Sequence, residues 1–335
     1  MKRRVGILLA LAALVSACEA LTSVASIPVG TLPKFVAVNQ TTNVIYVSNL
    51  NSNSVSVIDG ATDTVLATIA VGTAPEILDV NTETNTIYVA NLESSNVSVI
   101  DGTSNTVVAT VSLGTNTSPF GLAVDSTRNL VYVTNANDPG LVYVIDGVTN
   151  TVTATIQVGN TPAGVRVNST TNLIYVANTA SGSVSVIDGS SDTVSNTFQL
   201  PQGAFPGIIA MDPVKGQLFV SDAPNKAVYV LNASTGELLQ TITGAAQVSF
   251  KSPQYVALLQ PGKSAMVSDS SLGAVIQFSD TNYAFTGALS ATGTPIGFAV
   301  NRKTGKIYVA ESSSGTVNVY TPAGAKSRKI ERRAK

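Results

Sequence analysis

Beyond its N-terminal stretch the chain alternates short β-branched and aromatic runs with clusters of Asn, Asp, Gly and Thr, and it shows no helical period. Runs of this kind bounded by turn formers read as strands. The first unit carries four: Phe35–Val38, Val44–Ser48, Ser54–Ile58 and Val65–Val71, here called strands a, b, c and d. The c–d connection reads Asp-Gly-x-x-x-x-Val, as in Asp59-Gly60 to Val65. It is a hairpin in which Asp accepts bonds from backbone N–H groups and Gly is expected to take a positive φ.

The strand b segment recurs. Ile45-Tyr46-Val47-Ser48-Asn49 returns as Ile87-Tyr88-Val89-Ala90-Asn91, Val131-Tyr132-Val133-Thr134-Asn135 and Ile174-Tyr175-Val176-Ala177-Asn178. Three further copies start at Leu218, Ala265 and Ile307, and successive copies lie 42, 44, 43, 44, 47 and 42 residues apart. A Pro stands 13 residues before the central residue of every copy: Pro33, Pro75, Pro119, Pro162, Pro206, Pro253 and Pro295. Rigid spacing marks a register held by packing. From the end of strand c to the next Pro the spacing varies between 16 and 21 residues, which marks a loop. A β-rich period in the forties predicts propeller blades. The fold expected is therefore an all-β, seven-bladed propeller of four-stranded blades. The seventh unit runs out after strand c (Thr316 to Tyr320), whereas Leu21 to Gly30 resembles a strand d without a unit of its own. The N-terminal strand is thus expected to complete the last blade and close the ring, which removes an exposed edge.

These residues resemble the YVTN-family β-propeller repeat, whose name-giving motif stands at Val131-Tyr132-Val133-Thr134-Asn135. The resemblance covers about residues 21–322. It implies a propeller of surface-layer or periplasmic type and assigns no activity. Relatives that hold haem do so through His, which this chain lacks.

The first residues supply an address. Lys2-Arg3-Arg4 precede an apolar run from Val5 to Val15, too short to span a membrane. Val15-Ser16-Ala17-Cys18 resembles a bacterial lipobox, which implies cleavage before Cys18 and lipidation of its thiol; an ordinary signal peptide that happens to contain a Cys is the other reading. The expected organisation is a signal peptide at 1–17, one propeller at 18–325 and a basic tail at 326–335. The mature protein is expected as a lipid-anchored monomer of the cell envelope, facing the periplasm or the cell surface.

Charge narrows the partners. Residues 18–325 hold 10 basic and 19 acidic residues, a net charge of −9. That sign repels phosphate backbones, so nucleic acid is not expected as a partner. Absence of His excludes His-ligated zinc and haem and Ser-His or Cys-His catalysis, and a single Cys excludes a disulfide within the chain.

The candidate chemistry lies around the channel. The d–a and b–c loops share one face, and the variable d–a loops make it the candidate binding face. Residues following the repeat Pro differ from blade to blade and would ring that mouth: Lys34, Glu76, Phe120 and Gln254 are the candidate ligand-binding members. Four residues after the Pro the chain has Ala in five units but Asp79 and Arg166 in the second and fourth. A charge so far inside has to be paired or face channel water. Asn49 and its equivalents, ending in Asp222, Asp269 and Glu311, are expected to bond the backbone of the b–c loops. No catalytic residue, metal ligand set or cofactor is predicted. The expected function is a non-catalytic binding or scaffold module acting on an envelope protein or a small polar ligand. The alternative is a metal-dependent hydrolase or lactonase with its site in the channel.

Overall fold

Alternation in strand b decides the packing. Ile45 and Val47 point to one side of their sheet and Tyr46 to the other, and all three are fully buried. Ile45 and Val47 meet Tyr308, Val317 and Val319 of the last unit, whereas Tyr46 packs with Val55, Leu78 and Ile87 at the junction with the second. Each blade is therefore a sheet with a neighbour on both faces, which is why its middle strands read as nearly continuous apolar runs.

The computed structural model describes residues 21–322 apart from 246–247 and 261. Seven four-stranded antiparallel sheets form the blades of a propeller, each in the order a-b-c-d. In the first blade the strands are Pro33–Asn39, Val44–Asn49, Ser54–Asp59 and Thr64–Ala70. Strand d is the outer strand and exposes Val65 and Leu66. Blade five has a short strand a, Ile209–Asp212, and the longest d–a connection carries a small hairpin, Gly244–Ala245 with Val248–Ser249, which the repeat pattern did not predict. The lipobox with Cys18 and the tail at 326–335 lie outside the described residues.

The ring closes as expected. Leu21–Pro28 pairs antiparallel with Thr316–Pro322, Pro28 opposite Thr316 and Leu21 opposite Pro322. Side chains reinforce the seam between the last blade and the first. Lys306 Nζ lies 2.7 Å from Asp63 Oδ2, the Tyr308 hydroxyl donates to Asp63 Oδ1 at 2.8 Å, and Gln40 Nε2 donates to the Val300 carbonyl at 2.8 Å.

Two local expectations need correction. The glycines of the Asp-Gly turns do not take positive φ; the left-handed residues are Asp63, Asn105, Asn150 and Asp192, further along each turn (φ 57°, 56°, 53° and 53°). The glycines are needed for close approach instead. At Gly102 an added Cβ would lie 2.8 Å from the Tyr46 hydroxyl of the preceding blade. The Asp does act as predicted, Asp59 Oδ1 accepting from Ala61 N at 2.9 Å. The strand b asparagines also divide. Asn49, Asn91 and Asn178 donate to side chains of strand c, such as Ser54 and Ser56 for Asn49, rather than to the loop backbone. The reason is register: Asn49 stands opposite Ser54, which presents a hydroxyl within reach. Asp222 and Asp269 do accept from b–c loop N–H groups, and Glu311 accepts from the d–a loop at Gly293 N.

A hydroxyl one residue before that position ties inner strands together. Thr134 Oγ1 accepts from Gly121 N at 2.8 Å and donates to the Ala163 carbonyl of the next blade at 2.7 Å. Ser221 repeats the bridge to the Gln254 carbonyl at 3.0 Å. Blade four has Ala177 there, and a direct bond from Gly164 N to the Gly207 carbonyl at 2.9 Å takes its place.

Candidate binding site in the channel

Strand a of every blade lines the central channel, and in six of the seven blades it ends six residues after the repeat Pro, where the a–b loop begins. Within the channel lies a cavity of about 440 Å³. Its wall includes Ala37, Asp79, Arg166, Ala210, Ala257 and Ala299, the residues four places after the Pro. Small side chains at this level leave the space, and Asp79 and Arg166 project into it. Its open end is rimmed by Gln40, Ser169 and Arg302, each seven residues after its Pro in an a–b turn.

Aromatic rings cluster toward the other end. Tyr255 and Phe298 line the cavity with centroids 5.3 Å apart in an edge arrangement, and Tyr255 packs on Phe35 at 5.7 Å. Phe35 meets Phe120 edge-on at 6.3 Å. None of the residues directly following a repeat Pro lines the cavity.

The structure therefore divides the sequence candidates. Asp79 and Arg166 share the cavity. Lys34, Glu76 and Gln254 stand outside the cavity lining toward the d–a end, and Phe120 belongs to the aromatic layer itself. There Lys34 Nζ lies 3.9 Å from Glu76 Oε1, Gln254 Nε2 donates to Ser252 Oγ at 2.7 Å, and Phe120 packs into the apolar layer. The cavity wall extends to the a–b turns, on the face opposite to the one carrying the variable loops. Arg302 is the charged residue that sequence reading missed. The signal was available in its register, since it stands at the same place in its turn as Gln40 and Ser169.

The electrostatics are uneven. Asp79 has no cation within 4.0 Å among the described residues. Its Oδ1 accepts from Val80 N at 2.8 Å and its Oδ2 from Val124 N at 3.0 Å. Burial nevertheless pushes its pKa above the usual carboxylate value, with Arg166 and the two N–H groups opposing the rise. Burial, and after it the charge of Arg166, lower the pKa of Arg302. Burial also raises the pKa of Tyr255, against the lowering effect of Arg166. Among the described residues no group of three His, Cys, Asp or Glu is placed to hold a metal ion, and no helix is long and apolar enough to cross a membrane.

Comparison with known proteins agrees with this architecture. The sequence model of the YNCE-like beta-propeller family matches residues 5–330. No curated protein matches the chain. Among solved structures, a chain of Kuenenia stuttgartiensis hydrazine synthase superposes with a TM-score of 0.79 at 16% identity, over 86% of this chain and 95% of that one. At that identity the likeness is one of fold.

Proposed function

The chain belongs to the YNCE-like beta-propeller family, and from that premise we propose that it is a non-catalytic binding module of the bacterial cell envelope. In this reading the protein is exported, held at the membrane by a lipid on Cys18, and takes a small polar ligand in its channel. The observation that carries the binding role is the cavity: about 440 Å³ within the channel, with Asp79, Arg166 and Arg302 in its wall. A concave site of that size with a few convergent charged groups suits a small molecule better than a protein surface. The anchor rests on the sequence Val15-Ser16-Ala17-Cys18 after a basic and apolar leader.

Two measurements test the reading. Native mass spectrometry of protein purified from the envelope is expected to show a co-purifying small molecule that is lost when Ala37 or Ala299 is enlarged to Phe to fill the cavity. Retention of that molecule in the filled variants would rule out the channel. Cys18→Ser is expected to shift the protein from the membrane to the soluble fraction or to leave the leader uncleaved. Unchanged fractionation and mass would rule out the anchor.

A further inference from the structure

We propose that the channel cavity is an anion site in which the guanidinium groups of Arg166 and Arg302 hold the carboxylate or phosphate oxygens of a small ligand. The proposal rests on reading the channel as the binding site and names the class of molecule it takes.

Arginine is scarce in the body of this protein. Residues 18–325 contain Arg128, Arg166 and Arg302 alone against 19 acidic residues. Arg128 is engaged with Asp125 Oδ2 at 2.9 Å and the Ser169 carbonyl at 3.0 Å. Both of the others face the cavity. They come from different blades, Arg166 from strand a of the fourth and Arg302 from the a–b turn of the seventh, and both line the one cavity, where the charge of Arg166 adds to burial in lowering the pKa of Arg302. Among the described residues neither has a carboxylate within 4.0 Å, although acids outnumber bases nearly two to one in this body. The cavity lining thus carries two guanidinium groups against the single carboxylate of Asp79, and the electrostatic complement of such a site is an anion.

Asp79 is the nearby acid that would otherwise fill this role. Each of its oxygens accepts one backbone N–H, from Val80 and Val124, and burial raises its pKa against the opposing charge of Arg166, so it offsets only one of the two guanidinium charges. Beside the charges, Tyr255 presents ring surface, backed by the buried ring of Phe298. The wall thus offers cationic forks at the mouth and apolar rings further in, which matches an acid group carried on a short carbon skeleton. Arginine reads such oxygens in a bidentate manner that an ammonium group does not reproduce.

The test is calorimetric titration of the full mature chain, in detergent at low salt, with inorganic phosphate, succinate and uncharged succinamide. Saturable one-site binding of phosphate or succinate is expected, with succinamide weaker by about 10-fold or more. Arg166→Gln and Arg302→Gln should each weaken the anion by about 10-fold or more, and Arg166→Lys by less, because it keeps the charge and loses the fork. Lys226→Gln removes one positive charge from the opposite face and should change nothing. Unfolding temperatures without ligand show whether each variant is folded; if a Gln variant is not, the Lys variant gives the comparison. Equal weakening by Lys226→Gln would reduce the effect to net charge and overturn the proposal. Succinamide bound as tightly as succinate would also overturn it while leaving the channel as a binding site. Failure of both anions to bind, with the native co-purified molecule still held in the channel, would overturn the anion assignment alone.

Discussion

Gly102 shows how a turn residue is chosen by its neighbour. The Tyr46 hydroxyl of the preceding blade and the Asn85 carbonyl each lie 2.8 Å from where its Cβ would stand. The same contact recurs at Gly147 with the Tyr88 hydroxyl, at 2.6 Å. A tyrosine of one blade thus reaches the c–d turn of the next, and the turn must be thin. Gly102→Ala is expected to destabilise the protein by about 1–3 kcal/mol through overpacking, read from urea unfolding. Tyr88 is completely buried, and Tyr88→Ala is expected to cost about 3–5 kcal/mol. Val148, 79% exposed in a c–d turn, serves as the comparison, and its replacement by Ala should fall within about 0.5 kcal/mol. Equal effects at Tyr88 and Val148 would contradict the blade packing described above.

At the scale of the element, the end of strand b in the last blade carries a charge where four other blades carry Asn. Glu311 is fully buried, and its pKa is pushed up to about 7, chiefly by burial, against bonds from Gly293 N and Asn318. The folded protein therefore binds this proton more tightly than the unfolded chain, whose glutamate titrates near 4.5. Stability from this group is fully present below pH 4.5 and is lost as pH rises through about 7. Glu311→Gln removes that dependence. The expected result is a variant whose advantage over the parent grows between pH 5 and pH 8, measured as the difference in unfolding midpoint at the two pH values. A constant difference would show that Glu311 keeps an ordinary pKa in the fold.

At the scale of the whole molecule, closure is the property on which the blades depend. The strand Leu21–Pro28 is the outer strand of the last blade, and the seam beside it is held by the Lys306–Asp63 ion pair and the Tyr308 hydroxyl. A chain beginning at Thr31 would leave strand c of that blade, Thr316–Pro322, as an unpaired edge of alternating Val and polar residues. It is expected to lose a single cooperative thermal transition or to aggregate. Unfolding at the same temperature as the longer chain would mean that the seam contributes nothing.

The strand spans, the seven-fold repeat and the closing strand were legible in the sequence because each follows from local alternation and from spacing that packing holds constant. The four strands of the first blade fall within two residues of the predicted ends. Asp79 and Arg166 were legible for the same reason, as charges at a repeat position that otherwise holds Ala. What only the tertiary structure decided is how the blades meet at the centre. Whether the channel is blocked near the d–a loops depends on the directions taken by Phe35, Phe120, Tyr255 and Phe298, which come from four different blades and touch only once the ring has closed. The placing of Arg302 and Arg166 in one cavity wall is of the same kind. The two lie 136 positions apart in the chain, on blades four and seven, and no periodicity along a single strand relates their side chains. Repetition determines the blade because its contacts lie within one unit or between adjacent units. The site is made of the departures from repetition, and their meeting place is settled by the curvature of the closed ring.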